Sequence, residues 1–294
     1  VTVDYLAPMP KVRKTRGTAK FNKERFDILV TRGEAMGLTL SKGTIDLTGL
    51  DQADQFADVD LLIEGPGKDS LRLIDYEPLR LASTVGITPA GAGGTAATRL
   101  KLRFILERAL TRDQVRVSAT SKLRDFSLAG ALLGRSIRDG RLDLKVDKKG
   151  MDVTGQVKLG TIPAAFALRR NFADKPPFRA RYEFKGRVTE AQRVGELGFD
   201  FAPFSADFIK GPVDVAVRFT VFDDDSRRVE ATLNLADVAV SYPALRWRKD
   251  AGITGTAEVL VNLDGDDIVD IPRFAVTAGD LSDAVRRYNA RITV

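Results

Sequence analysis

Polar and apolar residues alternate along much of this chain with few errors. Residues 141–147 read RLDLKVD, which sends Leu142, Leu144 and Val146 one way and Arg141, Asp143, Lys145 and Asp147 the other. Segments 42–48 (KGTIDLT), 115–119 (VRVSA), 213–219 (VDVAVRF) and 228–235 (RVEATLNL) obey the same rule. Side chains alternate faces along a strand, so the pattern predicts sheet with one charged face and one apolar face. An apolar face must be covered, and too little helix is predicted to cover this one.

Strand-like runs are expected at 18–22, 25–31, 37–41, 44–48 and 58–64, with turns at Gly33, Gly43 and Gly49. Residues 69–83 break the pattern: Leu71, Ile74 and Leu81 fit a helical face that Pro78 would begin or kink. Residues 85–98, with Pro89 and GAGG at 91–94, read as a flexible loop; neither a Walker loop nor a dinucleotide fingerprint follows. A second strand series runs through 99–106, 115–120, 125–129, 141–147, 152–159, 164–170 and 179–188. Its turns are expected at Asp139-Gly140, Lys149-Gly150 and 174–177. Residues 189–198 suit a short helix with Thr189 as cap and Gly198 as terminator. A third series covers 211–222, 228–237, 240–246, 252–263, 268–277 and 288–294. The expected organisation is an irregular basic arm (1–15) and three β blocks, 16–84 with a terminal helix, 85–198 and 199–294, in one continuous sheet.

The chain has 294 residues, 44% hydrophobic and 29% charged, which is ordinary globular composition. No apolar run approaches the roughly 18 residues of a membrane span. The chain starts at Val1 with no signal peptide, so it is expected to be an excised fragment whose targeting or anchoring segment lies elsewhere. It contains no cysteine and no histidine. That removes Ser–His–Asp and Cys–His catalysis, thiolate sites and the usual transition-metal sites, leaving only carboxylate, lysine or tyrosine chemistry. No enzyme activity and no cofactor are expected. The net charge of +6 is concentrated only at Lys11, Arg13, Lys14, Arg16, Lys20, Lys23 and Arg25. These fit a solvated or linker-adjacent segment, with anionic lipid head groups as the second choice. Nucleic acid is not expected, because only Phe21 and Phe26 interleave the cations and both fit the strand alternation.

Several motifs reduce to structure. Residues 262–267 (NLDGDD) lack the glycine position and closing glutamate of a calcium loop and read as a hairpin turn. Asp223-Asp224-Asp225 reads as a hairpin tip, with no apolar pocket marking one acid for glycoside chemistry. Trp247, beside Arg246, Arg248 and Lys249, fits a strand end packed by arginine stems, with an interfacial membrane anchor as the alternative. Phe201, Phe204 and Phe208 fit a plug at one edge of the apolar face, or an interaction patch. Periodicity alone leaves two architectures open: a sandwich whose two sheets cover each other, and one long curved sheet whose apolar side holds a lipid.

Four segments carry a family resemblance: 115–128 (VRVSATSKLRDFSL), 134–172, with Pro163 and Phe172 at its end, 184–200 (FKGRVTEAQRVGELGFD) and 233–261, with its Pro-Leu-Trp-Lys cadence. Together they resemble the AsmA-like superfamily, particularly the YhdP/TamB-type proteins of the Gram-negative envelope; residues 17–89 resemble it less specifically. The resemblance implies a mainly β fold, an elongated, twisted antiparallel sheet forming a taco-like repeating β-groove with short helical inserts. It implies a periplasmic segment, tethered to the inner membrane by an N-terminal anchor, that conducts phospholipid toward the outer membrane. The family brings no catalytic residues. The expected partners are phospholipid acyl chains, with membrane surfaces or other envelope proteins as further ones. The expected groove lining is Phe21, Ile28, Leu40, Ile45, Leu102, Phe104, Val117, Leu144, Val157, Phe166, Val215, Val217 and Leu233. The alternative is a closed β-sandwich acting as an envelope scaffold.

Overall fold

The alternation folds into strands that pair with their sequence neighbours. In the computed structural model, which describes residues 2, 10–76, 81–84, 88–107, 114–132, 135–202, 204–265 and 267–278, the chain divides into two compact units, Val1–Val157 and Lys158–Val294. The first unit holds β1 (Arg13–Phe21), β2 (Arg25–Ala35), β3 (Leu38–Thr48), β4 (Phe56–Pro66), β5 (Ala92–Ile105), β6 (Arg116–Leu132) and β7 (Arg135–Asp147). The unit boundary falls within β8 (Gly150–Leu159). Two short helices, α1 (Gly67–Ile74) and α2 (Leu81–Thr84), separate β4 from β5, and α1 lies against both strands. The second unit holds β9 (Ile162–Asn171), β10 (Ala180–Val188), β12 (Val213–Val221), β13 (Ser226–Asn234), β16 (Gly255–Asp264) and β17 (Asp267–Ala278). These strands form one 14-stranded sheet in the order β1 to β10, β12, β13, β16, β17, mainly antiparallel meander and not closed into a barrel. Three short strands, β11 (Ile209–Lys210), β14 (Ala239–Tyr242) and β15 (Trp247–Lys249), make a separate small sheet.

Several expected turns are instead places where a strand changes step. Gly33 lies inside β2, and the turn to β3 is made by Met36 and Gly37, both at positive φ. Gly43 joins the two expected strands at 37–41 and 44–48 into a single β3, whose pairing with β4 slips by one residue between Leu40 and Lys42. A one-residue bulge changes which parity faces inward without ending the strand. Asp139-Gly140 behaves in the same way: Asp139 holds φ +50 within β7, opposite a matching kink at Asp125 (φ +50) in β6. The GAGG run is not a loop either. Pro89–Gly91 forms a single 3-10 turn, and β5 begins at Ala92, seven residues before the expected start.

Other expectations match. Lys148 and Lys149 turn β7 into β8, and Asp223 to Asp225 form the β12–β13 tip, where Arg179 grips Asp225 at 2.5 Å. At Thr189 the hydroxyl accepts the Gln192 N–H at 3.2 Å, capping a short turn that continues as π-helix (Gln192–Glu196) and stops at Gly198 (φ +78). The strand expected over 288–294 and most of the arm expected over 1–15 lie outside the described residues.

Candidate functional site: the apolar sheet face

Antiparallel partners share a face, so the registers build the apolar surface row by row. In the first unit, Ala19, Ile28, Ile45, Val59, Leu102 and Val117 line up across β1 to β6. Beside them run Phe21, Phe26, Leu47, Ala57 and Phe104. A further row holds Leu40, Ile63, Thr98, Ser121 and Leu144. Its two polar members satisfy each other, with the Thr98 and Ser121 hydroxyls 2.8 Å apart. Val157 lies on the buried side of β8, between exposed Gln156 and Lys158. All nine first-unit residues expected to line a groove therefore fall on the apolar side.

Their cover is uneven. Leu40 and Val157 are buried with Leu38, Phe126, Ile137 and Leu142. Ile28, Ile45, Leu102, Phe104 and Leu144 are half-buried, Val117 is 37% exposed and Phe21 82% exposed. Among the described residues the first unit has no second sheet to close over these rows.

In the second unit, Phe166, Phe184, Val217, Ala231, Val259 and Phe274 form one row across β9, β10, β12, β13, β16 and β17. Val215 and Leu233 face each other in the adjacent row. That row is closed at one end. Val215 and Leu233 pack against a buried cluster of Ile162, Val188, Val213, Val238, Val240, Trp247 and Ala278, contributed in part by the small sheet. Trp247 is 6% exposed and stacks on Tyr242 (6.2 Å between ring centroids), which stacks on Phe208 (5.4 Å), so the tryptophan is a core side chain rather than an anchor at a membrane surface. Its neighbour Lys249 is buried, with Nζ donating to the carbonyls of Leu235 (2.7 Å) and Val238 (2.8 Å); burial pulls its pKa below the ordinary lysine value. Phe201 and Phe204 are separate from that stack. They form their own cluster with Phe199, ring centroids 5.5–6.1 Å apart, and Phe199 and Phe201 are exposed. At the β17 edge of the apolar face, Ile268 and Phe274, the partners of Leu263 and Val259, are exposed.

The opposite face is a field of cross-strand ion pairs. Asp60 accepts two bonds from Arg99 (2.7 and 2.8 Å), which hold its pKa below the usual carboxylate range. Arg218 bridges Glu183 (2.9 Å) and Glu230 (3.5 Å). Asp46 is different: it stands between Asp27 and Asp58 across adjacent strands. Partial burial, and then the charge of Asp27, push its pKa up. No group of three or more acidic side chains among the described residues is arranged to hold a metal ion. No helix among them is long and apolar enough to cross a membrane.

Sequence reasoning missed the small sheet and the aromatic stack that close one end of the second unit. Comparison with known proteins finds no matching family model, curated protein or solved structure.

Proposed function

We propose that this chain is a lipid-binding segment of a bacterial envelope protein, which passes phospholipid along the apolar side of its sheet between inner and outer membranes. The observation that carries the proposal is the first-unit row from Ile28 to Val117, apolar across five strands and half-open along its length. An acyl chain laid along such rows gains about 0.8 kcal/mol per CH₂ removed from water. That drive is non-directional, so it suits sliding rather than selection of one lipid. The ion-paired face keeps the other side in water. The resemblance of residues 115 to about 281 to AsmA-like proteins supports the same reading and agrees with a periplasmic setting. The competing scaffold reading draws on the second unit, where the small sheet covers Val215 and Leu233.

Native mass spectrometry of the chain purified from a Gram-negative host, with lipid extraction, separates the two. The lipid reading expects bound phospholipid released on unfolding. Protein free of lipid, and unable to take it up from vesicles, supports the scaffold.

A further inference from the structure

β1 is an edge strand that carries Arg13, Lys14, Arg16 and Lys20. A basic edge discourages pairing with another chain, but that role does not require the arrangement of its first half. Arg16 lies directly across from Arg32 of β2. Like charges in directly opposed positions repel, and the one carboxylate paired here, Glu34, meets Arg32 but not Arg16. The register slips on both sides of Arg16, and Lys14 holds φ +53, a backbone conformation that a lysine seldom adopts. The slip brings the Lys14 ammonium to 2.8 Å from Glu34, whose other oxygen meets Arg32 at 3.2 Å. Arg32 and Glu34 share one face of β2, and Arg16 shares it through its pairing with Arg32. Three cations against one carboxylate leave an excess of two positive charges on the polar face. Lys14, Thr15, Arg16 and Arg32 line a depression of about 370 Å³ there. Arg16 has no ion pair among the described residues.

We infer that this depression is a binding site for a phosphate-class oxyanion, held between the Arg16 and Arg32 guanidinium groups with Lys14 at its rim. A tetrahedral dianion accepts the paired N–H bonds that each guanidinium offers and removes the repulsion between the two strands. Glu34 fixes two of the cations in place without neutralising the third. The site lies on the opposite face from the acyl-chain rows, so it stands or falls apart from the lipid proposal. Its ligand is either a free phosphate compound or a phospholipid head group.

Titration calorimetry of the whole chain tests it, using inorganic phosphate, then glycerol 3-phosphate, with chloride keeping ionic strength constant. Vesicles of phosphatidylcholine with and without phosphatidylglycerol form the second arm. Saturable phosphate binding is expected, weakened about tenfold by Arg16→Gln through loss of a charge-assisted bond. Arg16→Glu should abolish binding while leaving the melting temperature unchanged or higher, because it places opposite charges across the strands. Phosphate binding that phosphatidylglycerol vesicles compete for assigns a head group; phosphate binding without vesicle binding assigns a soluble ligand. No phosphate heat above the chloride control, an unchanged affinity in Arg16→Gln, or vesicle binding with none for phosphate would each overturn the inference.

Discussion

An aspartate on the apolar face should cost very different amounts at two positions of the first unit. Val117 and Leu142 lie on the same side of β6 and β7, yet Val117 is 37% exposed and Leu142 only 5%. Full burial of a valine is worth about 1.5 kcal/mol, so the part of Val117 that is covered contributes about 1 kcal/mol. In Val117→Asp the carboxylate still reaches water, and the loss stays near that figure. For a domain of this size, that is a drop of about 2–4 °C in melting temperature. Leu142→Asp loses about 2.5 kcal/mol of burial and leaves an unpaired carboxylate in the core at a cost of several kcal/mol more. The sum, above about 5 kcal/mol, rivals the whole stability of a typical domain. Thermal melting and urea titration of both variants decide the matter. If Val117→Asp unfolds the chain as Leu142→Asp does, the row ending at Val117 is not open and the basis for lipid access there is lost.

Three further outcomes follow from the same geometry. Trp247→Ala should destabilise the second unit by about 3–5 kcal/mol, because the indole fills the centre of the cluster under the small sheet; a calorimetric shift worth less than about 1 kcal/mol would contradict that role. Gly155→Ala puts a Cβ 2.0 Å from the Arg141 carbonyl oxygen, so β7 and β8 must part, and a loss of about 1–3 kcal/mol is expected in urea titration. Asp46 has a folded-state pKa above the ordinary carboxylate value, so the folded chain binds more protons than the unfolded one between those two values. Its ionisation therefore lowers stability as pH rises through that window. Asp46→Asn should raise the melting temperature at pH 7, with the gain fading as pH falls through that window and gone below the ordinary carboxylate value; an equal gain at every pH would assign the effect to something other than its charge.

The two-residue period made the sheet and its sidedness legible, because each strand reports its own faces. The residues from Phe21 to Val157 share one side of the first unit, and those from Phe166 to Leu233 share one side of the second. Strand boundaries were less legible, since a slip of parity looks the same whether the chain turns or bulges. At Gly43 and Asp139-Gly140 glycine chemistry suggested a turn, while the partner strand on each side keeps the chain extended. At Gly93 and Gly94 the absence of side chains hid the first half of β5. Gly94 (φ +80) kinks β5 where the register with β6 slips, and a Cβ there would meet the Arg124 and Asp125 carbonyls at 2.5–2.6 Å. The small sheet was only partly legible: the run expected at 240–246 overlaps β14, but β11 and β15 span two and three residues, too short to show any period, and nothing in the pattern sets the three apart from the main sheet. Trp247 looked interfacial because three cations flank it in sequence, but Lys249 points inward to backbone carbonyls and the indole follows it into the core.

Photo-crosslinking tests lipid contact on the apolar face most directly. A benzophenone amino acid is placed at Leu102 or Val117 on the apolar side, and at Lys101 or Ser118, their immediate neighbours on the polar side. Each protein is incubated with phospholipid vesicles, irradiated and weighed intact. The account predicts single-phospholipid adducts at 102 and 117 and none at 101 and 118. Adducts at all four positions in equal yield, or none at 102 and 117, would contradict it.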